Sequence, residues 1–161
     1  MKLIKIPTKI TAKTTNNSPK KYYLCSKIPS MSFYTRLFQV AAAWNIIAAI
    51  TVFGSFKKHF VLFYNVTINK NPHFLLWLYH YNFWLIVLMM GVGYYLVSRN
   101  LQQNWAVALI GAIGKLAIAC SWTYLYCIGI GTKLLLLGAI GDAIFALFFI
   151  HFLWNIDQLN T

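Results

Sequence analysis

Four long apolar stretches constrain this 161-residue chain more than any other feature of its sequence. They cover about 37–53, 75–97, 106–128 and 134–154. Each is close to the ~20 residues that a helix needs to cross a ~30 Å hydrocarbon core. Backbone groups in lipid must be hydrogen-bonded within the segment, and the alternation typical of barrel strands is absent, so these stretches predict helices. The predicted fold class is all-α: a polytopic membrane protein with an antiparallel bundle of four transmembrane helices.

The composition agrees with a membrane protein and excludes several soluble classes. The chain is 60% apolar and 17% aromatic, and 10% of its residues are charged. Soluble domains usually carry ~25% charged residues. These values exclude a water-soluble enzyme, a disordered tail protein and a disulfide-stapled secreted module.

Half of the basic residues lie in the first thirty positions. The chain has 14 Lys and Arg against 2 Asp and Glu, a net charge of +12. Residues 1–30 contain no acid and seven lysines: Lys2, Lys5, Lys9, Lys13, Lys20, Lys21 and Lys27. We expect a flexible basic N-terminal tail over 1–30 and a four-helix domain over 31–161, with Met31 as a candidate natural start. Basic charge confined to a tail favours an anionic membrane surface as its partner, and no nucleic acid.

The distribution of Lys and Arg between the loops predicts the orientation in the membrane. The tail with Arg36 and the second loop with Arg99 place nine basic residues on one side, against four on the other. The positive-inside rule then puts both termini in the cytoplasm of a cell with this protein in its inner (plasma) membrane. If translation starts at Met31, the numbers become two and four, and the rule no longer supports this orientation.

The longest link, residues 54–74, contains an apolar island at 60–64 next to Lys57 and Lys58. The island is too short to cross a bilayer, and we expect it to lie on the membrane surface. Aromatic residues also predict an interfacial belt at each side of the membrane, where they act as anchors and not as ligands. One belt contains Trp77, Tyr79, Tyr81, Trp84, Trp122, Tyr124 and Tyr126, and the other contains Trp105 and Trp154.

Two opposite charges lie deep inside the third and fourth spans. A charge at a helix centre costs ~2.5–3.5 kcal/mol on the insertion scale, so neither Lys115 nor Asp142 is expected to face lipid. The loop between the two spans is short, which makes them antiparallel neighbours. At a rise of 1.5 Å per residue the two charges differ by ~5 Å in depth, a distance that a lysine side chain covers. We therefore predict an ion pair near the midplane.

The residues before the two charges repeat the same motif. Gly-Ala-Ile-Gly precedes Lys115 and again precedes Asp142, twenty-seven residues later. Small residues let helices approach closely in lipid, which would shield the pair from hydrocarbon. The predicted packing glycines are Gly111, Gly114, Gly138 and Gly141.

Asn45 in the first span lies at nearly the depth of Lys115 and is a candidate third member of the polar network. Single polar groups commonly hold membrane helices together, and this structural role is the alternative for Asn45. His80, near the opposite interface, is interpreted as an interfacial residue. For Lys115 and Asp142, a permanent structural bridge and a working site both remain open.

No catalytic residue, metal ligand set or cofactor motif is found. No nucleophile triad or pair of carboxylates can be assembled, and Gly91-Val92-Gly93 lacks the third glycine of a dinucleotide fingerprint. The chain contains no CxxC, no Cys/His cluster and no HExxH, so neither zinc nor a redox dithiol is predicted. Cys120 and Cys127 lie seven positions apart on one helix, too far for a disulfide.

Several segments resemble small bacterial four-helix membrane proteins of the DoxX-like group. These are Arg36-Leu37-Phe38, Ala41-Ala42-Ala43-Trp44-Asn45, Gly93-Tyr94-Tyr95-Leu96-Val97-Ser98-Arg99 and the paired Gly-Ala-Ile-Gly motifs. The resemblance covers about 32–154 and implies a four-helix architecture. It also implies a link to quinone-dependent oxidation, which some DoxX-like subunits have. Small multidrug exporters also have four helices, but they need a carboxylate in the first span, and this chain has none there.

Two functional classes remain. The first is a non-enzymatic transporter-like or accessory bundle, in which Lys115 and Asp142 bind or gate a small polar solute. Four helices enclose little space, so transport would require a homo-oligomer or a membrane partner subunit. The alternative is an accessory subunit of a quinone-linked membrane oxidoreductase, which a quinone head group near Lys115 would distinguish.

Overall fold

The computed structural model of the chain describes residues 30–66 and 73–156, which form five α-helices. They are α1 (Met31–Phe53), α2 (Phe56–Tyr64), α3 (Phe74–Arg99), α4 (Trp105–Cys127) and α5 (Lys133–Asn155). Four of them, all except α2, are long and apolar enough to cross a membrane. The predicted all-α bundle of four transmembrane helices is therefore confirmed. The basic tail predicted over 1–30 lies outside the described residues, apart from Ser30.

The two ends of the bundle differ in the helices that begin and finish there. At the α2 end, α1 and α4 finish and α3 and α5 begin, and α2 packs there. At the opposite end, α1 and α4 begin and α3 and α5 finish. Successive long helices therefore run in alternating directions.

The first transmembrane helix begins at Met31, six residues before the predicted start at position 37. In the sequence, the apolar stretch begins only after Arg36 and the polar residues before it. In the structure, one face of these six additional helical residues is buried. Tyr34 and Phe38 are completely buried, and the Tyr34 hydroxyl lies 2.9 Å from Nδ1 of His151 on α5. Arg36 stays exposed. Packing against α5 thus extends the helix beyond its apolar segment.

The long helices associate as two close pairs, α1 with α3 and α4 with α5. Within the first pair, a Cβ added at Gly91 of α3 would lie 3.2 Å from the backbone nitrogen of Ile46 on α1. Only a glycine allows the two backbones to approach so closely. The two pairs meet mainly through large side chains. Near the opposite end, stacked Phe38 and Phe149 rings, 4.7 Å apart, join α1 to α5.

The α3 and α4 helices pack closely only in the half of the bundle away from α2. There the Tyr94 ring fills the space over Gly111, and Val107 lies over Gly93. Towards the α2 end the helices are separated by bulky rings, with the centroids of Phe83 and Trp122 at 6.3 Å. A cavity remains between α3 and α4, between the Phe83 and Tyr94 rings.

The apolar island of the longest link belongs to the nine-residue helix α2, which ends at Asn65 in the left-handed conformation (φ 50°). Lys57 and Lys58 are exposed, whereas Phe56 and His59 are buried. Thr132, before α5, fixes the end of α2. Its hydroxyl donates to the carbonyl of Leu62 at 2.6 Å, and its backbone N–H donates to the carbonyl of Phe63 at 2.9 Å.

The aromatic residues do not all serve as interfacial anchors. Tyr79, Tyr124, Trp105 and Trp154 are exposed, as anchors would be. Trp84 is buried in a cluster with Ala49 and Val52. The anchoring interpretation is wrong for Trp84, because α2 covers the end of α3 and turns this position into part of the core.

Candidate functional site

Lys115 and Asp142 form the predicted ion pair. Lys115 precedes Leu116, the midpoint of α4, by one residue, and Asp142 precedes Ile144, the midpoint of α5, by two. Both are therefore within about 3 Å of the middle of their helices. The lysine Nζ lies 2.5 Å from Oδ1 of Asp142, and both side chains are buried. The close pairing of antiparallel α4 and α5 brings the two charges together.

Asn45 joins the ion pair to the other helix pair. The Lys115 ammonium donates to the Asn45 side-chain oxygen at 3.1 Å. The Asn45 amide nitrogen donates in turn to the carbonyl of Val87 on α3 at 3.3 Å. The structure thus brings all three predicted polar residues into one buried triad, which connects α1 and α3 to α4 and α5.

Aromatic rings complete the surroundings of the ammonium group. Nζ of Lys115 lies 5.2 Å from the ring centroid of Phe145 and 5.8 Å from that of Tyr94. A cation within about 6 Å of a ring face gains favourable electrostatic energy, most where water is excluded. The charge is therefore stabilised by Asp142, by Asn45 and by two rings.

The triad has hydrogen-bonding capacity left over. A lysine ammonium has three N–H donors, and Asn45 and Asp142 occupy two of them. Within the described residues, the second carboxylate oxygen of Asp142 has no hydrogen-bond partner, and the side chain keeps 10% of its surface accessible. A cavity of about 170 Å³ between α3 and α4 adjoins all three residues. It has room for several water molecules or one small solute that uses the free donor and acceptor.

The four predicted packing glycines have different surroundings. Gly111 accommodates the Tyr94 ring, Gly138 the Trp122 ring and Gly141 the Trp44 ring. Gly114 has no other atom within 4 Å of an added Cβ and instead lines the cavity beside the ion pair. Three of these glycines therefore make room for aromatic rings, whereas the close approach of two backbones occurs at Gly91.

A second polar cluster lies at the α2 end. His59 of α2 and His80 of α3 are both buried, with ring centroids 5.0 Å apart, and Trp84 lies 5.3 Å from His59. Within the described part of the chain, the ring nitrogens of both histidines and the indole N–H of Trp84 have no hydrogen-bond partner. Burial, and to a smaller extent the neighbouring His80, lower the pKa of His59 to about 4. The three side chains line a cavity of about 470 Å³.

Sequence reasoning placed His80 at the interface and did not find this histidine pair. The signal was available only in part: the predicted topology puts residues 54–74 and the start of the second span at the same side of the membrane. The burial of His59 and His80 depends on how α2 folds back over α3, which no local pattern specifies.

The two described cysteines lie on α4, where Cys120 and Cys127 are free and exposed. Among residues 30–66 and 73–156, no group of three or more His, Cys, Asp or Glu side chains is arranged to hold a metal ion.

A comparison with protein-family models, with curated protein sequences and with solved structures finds no match to this chain. The resemblance to the DoxX-like group stays a prediction from the sequence.

Proposed function

We propose that this protein is a non-enzymatic, transporter-like or accessory membrane bundle whose buried triad of Lys115, Asp142 and Asn45 binds a small polar solute. One observation carries the proposal. The ion pair lies beside a cavity, at the contact between two helix pairs, with one donor and one acceptor still free. Buried charges inside a membrane are expensive and are by default functional.

The arrangement of the helices supports a transport role. The pairs α1–α3 and α4–α5 each pack closely, and the triad is a polar link between them near the middle of the helices. A solute that replaces the hydrogen bond between Lys115 and Asn45 would loosen this link. Small movements of one pair against the other would then open the site.

The proposal includes the assembly and its setting. The cavity of about 170 Å³ is small, so we expect a homo-oligomer or a membrane partner subunit to complete the solute pathway. The bilayer in question is the inner (plasma) membrane, and both termini are cytoplasmic, as the larger number of basic residues on their side favours.

One observation favours the second candidate, an accessory subunit of a quinone-linked oxidoreductase. The cavity wall includes Ile86 and Ile110, which are 60% and 62% exposed and therefore face lipid. A lipid-soluble ring compound has a route from the bilayer to the Lys115 ammonium, which can donate to a carbonyl oxygen. The resemblance to the DoxX-like group agrees with this alternative.

Flux through proteoliposomes tests the proposed function. The full chain is reconstituted, and stopped-flow light scattering measures the permeability to glycerol, urea, glycine and acetate. We expect at least one solute to cross faster than in protein-free liposomes. The double variant Lys115→Met with Asp142→Leu, which replaces both charges by apolar groups of similar size, should fold but lose this flux.

Two results would contradict the proposal. The first is no solute crossing faster than the protein-free background. The second is a flux that the double variant retains in full. Quinone carried through purification, detected by its ultraviolet absorbance and lost in Lys115→Met, would favour the second candidate instead.

A further inference from the structure

Two adjacent cavities are lined by one face of α3. Residues at helical spacing line them from the α2 end to the level of the ion pair: Leu76, Tyr79, His80, Phe83, Ile86, Val87, Met90 and Tyr94. The first four line the histidine cavity between α2 and α3, and the last four, together with Phe83, line the cavity beside the ion pair between α3 and α4. Phe83 belongs to both cavities and separates them.

The other end of the bundle is closed by packed rings. Tyr34, Phe38, Tyr94, Phe149 and Phe152 are all 0–1% exposed. The Phe38 ring lies 4.7 Å from Phe149 and 5.1 Å from Phe152, and Tyr94 lies 4.9 Å from Phe149. These rings fill the interior of the bundle on the side of Lys115 away from α2. The cavities of about 470 and 170 Å³ follow one another from the α2 end to the ion pair.

The histidine cavity is built to contain water. His59, His80 and Trp84 have five buried nitrogen atoms without a protein partner in the described residues. Buried polar groups are normally satisfied, and a roomy cavity with several polar neighbours holds ordered water for this purpose. The cavity lies at the α2 end of the bundle, where Lys57 and Lys58 are exposed.

We propose that the histidine cavity is the aqueous entrance to the Lys115–Asp142 site, and that the Phe83 ring is the barrier between the two. A polar solute reaches the ion pair from the α2 end alone, passing His59 and His80 before Phe83 moves aside. The inference rests on the proposed function of the triad and adds the direction of access and the residue that controls it.

Thiol labelling at Gly114 tests this route. Gly114 lines the cavity beside the ion pair, and an added side chain meets nothing within 4 Å, so Gly114→Cys fits without repacking. The variant is made in a chain with Cys25→Ser, Cys120→Ala and Cys127→Ala. Membrane-impermeant sulfonatoethyl methanethiosulfonate is then added to sealed vesicles of each orientation.

Two matched positions serve as controls. Tyr79→Cys, at an exposed site in the lining of the histidine cavity, identifies the vesicles in which the α2 end faces the reagent. Gly114 and Ile113 are both exposed, but Ile113 does not line the cavity and faces lipid, so Ile113→Cys should not react with the impermeant reagent.

We expect Gly114→Cys to react only when the reagent is on the α2 side. The rate should rise severalfold with Phe83→Ala and fall severalfold with Phe83→Trp. Should Phe83→Ala fail to fold, the sidedness of Gly114→Cys and the slowing by Phe83→Trp still decide the question.

Three results would overturn the route: reaction from the opposite side, rates that do not depend on residue 83, or no reaction except with a lipid-soluble maleimide, as for Ile113→Cys. The outcome is separable from that of the flux experiment. Labelling from the α2 side without any solute flux leaves the route standing and removes the proposed function. Solute flux with labelling only from the opposite side would overturn the route and leave the proposed function standing.

Discussion

A lysine inside a bilayer is tolerated when its charge is matched and its donors are occupied, and Lys115 meets the first condition through Asp142. Breaking a buried pair by removing one partner leaves an uncompensated charge, which typically costs ~3–5 kcal/mol. Among single residues, we therefore expect Lys115 and Asp142 to be the most sensitive to substitution.

Lys115→Ala and Asp142→Asn should each lower the amount of folded protein in the membrane, measured as the monodisperse fraction in mild detergent. Removing both charges in Lys115→Met with Asp142→Leu should restore much of it, because apolar replacement of a buried pair is often tolerated. The charge swap Lys115→Asp with Asp142→Lys should also insert better than either single reversal. Losses that simply add in the double variant would contradict the coupling.

Two glycines of one motif give a matched pair of substitutions. A Cβ at Gly111 would lie 2.5 Å from Cε1 of the buried Tyr94 ring, whereas a Cβ at Gly114 meets nothing. Gly111→Ala should therefore lower the melting temperature, since overpacking a core costs about 1–3 kcal/mol. Gly114→Ala should leave it unchanged or raise it, because alanine favours a helix by roughly 0.5–1 kcal/mol over glycine. Equal effects of the two substitutions would refute the packing described for Gly111.

Among the helices, α2 is the element whose docking we expect to respond to pH. It packs through Phe56 and His59, and His80 of α3 is the titratable group against His59. The pKa of His59 is about 4 in the folded protein, because burial excludes water and His80 opposes a second charge. An accessible imidazole has a pKa near ~6.5. Above a pH of ~6.5, His59 is therefore neutral whether or not α2 is docked, and α2 stays in place.

Docking of α2 should weaken as the pH falls from about 6.5 towards 4, because the undocked helix then binds the additional proton. Hydrogen exchange of the amides of Phe60–Tyr64, corrected for the intrinsic rate, measures this effect. The exchange should increase on acidification in the native chain and respond less to pH in His59→Phe. An unchanged pH response in His59→Phe would assign the effect to another group.

For the whole molecule, four membrane-crossing helices require that Met31 and Asn155 lie on one side and α2 on the other. The positive-inside rule predicts that the termini lie in the cytoplasm. Reporter fusions at Thr161 and within residues 54–74 should therefore read opposite sides of the membrane, with the C-terminal fusion cytoplasmic. A C-terminal reporter outside the cell would reverse the orientation without affecting the ion pair.

The ion pair shows how far the sequence reaches towards a site. Depth along a helix follows from the position in a span, and a short loop makes two spans neighbours, so the contact between Lys115 and Asp142 was predictable. The contact with Asn45 was predictable only as a coincidence of depth, because the first span has no short loop to α4. The close packing of α1 against α3 at Gly91 places Asn45 beside Lys115.

The sequence by itself determined the all-α class, the four spans, the alternating directions and the pairing of Lys115 with Asp142. These depend on hydrophobicity and spacing along one chain segment, which the bilayer converts directly into structure. Only the tertiary structure decided which helices pair closely, that α1 extends back to Met31, and that α2 folds over α3 to bury His59, His80 and Trp84. Lipid is as apolar as the helix surfaces, so the hydrophobic pattern does not choose among helix faces. Ring-into-glycine packing and hydrogen bonds between distant segments make that choice.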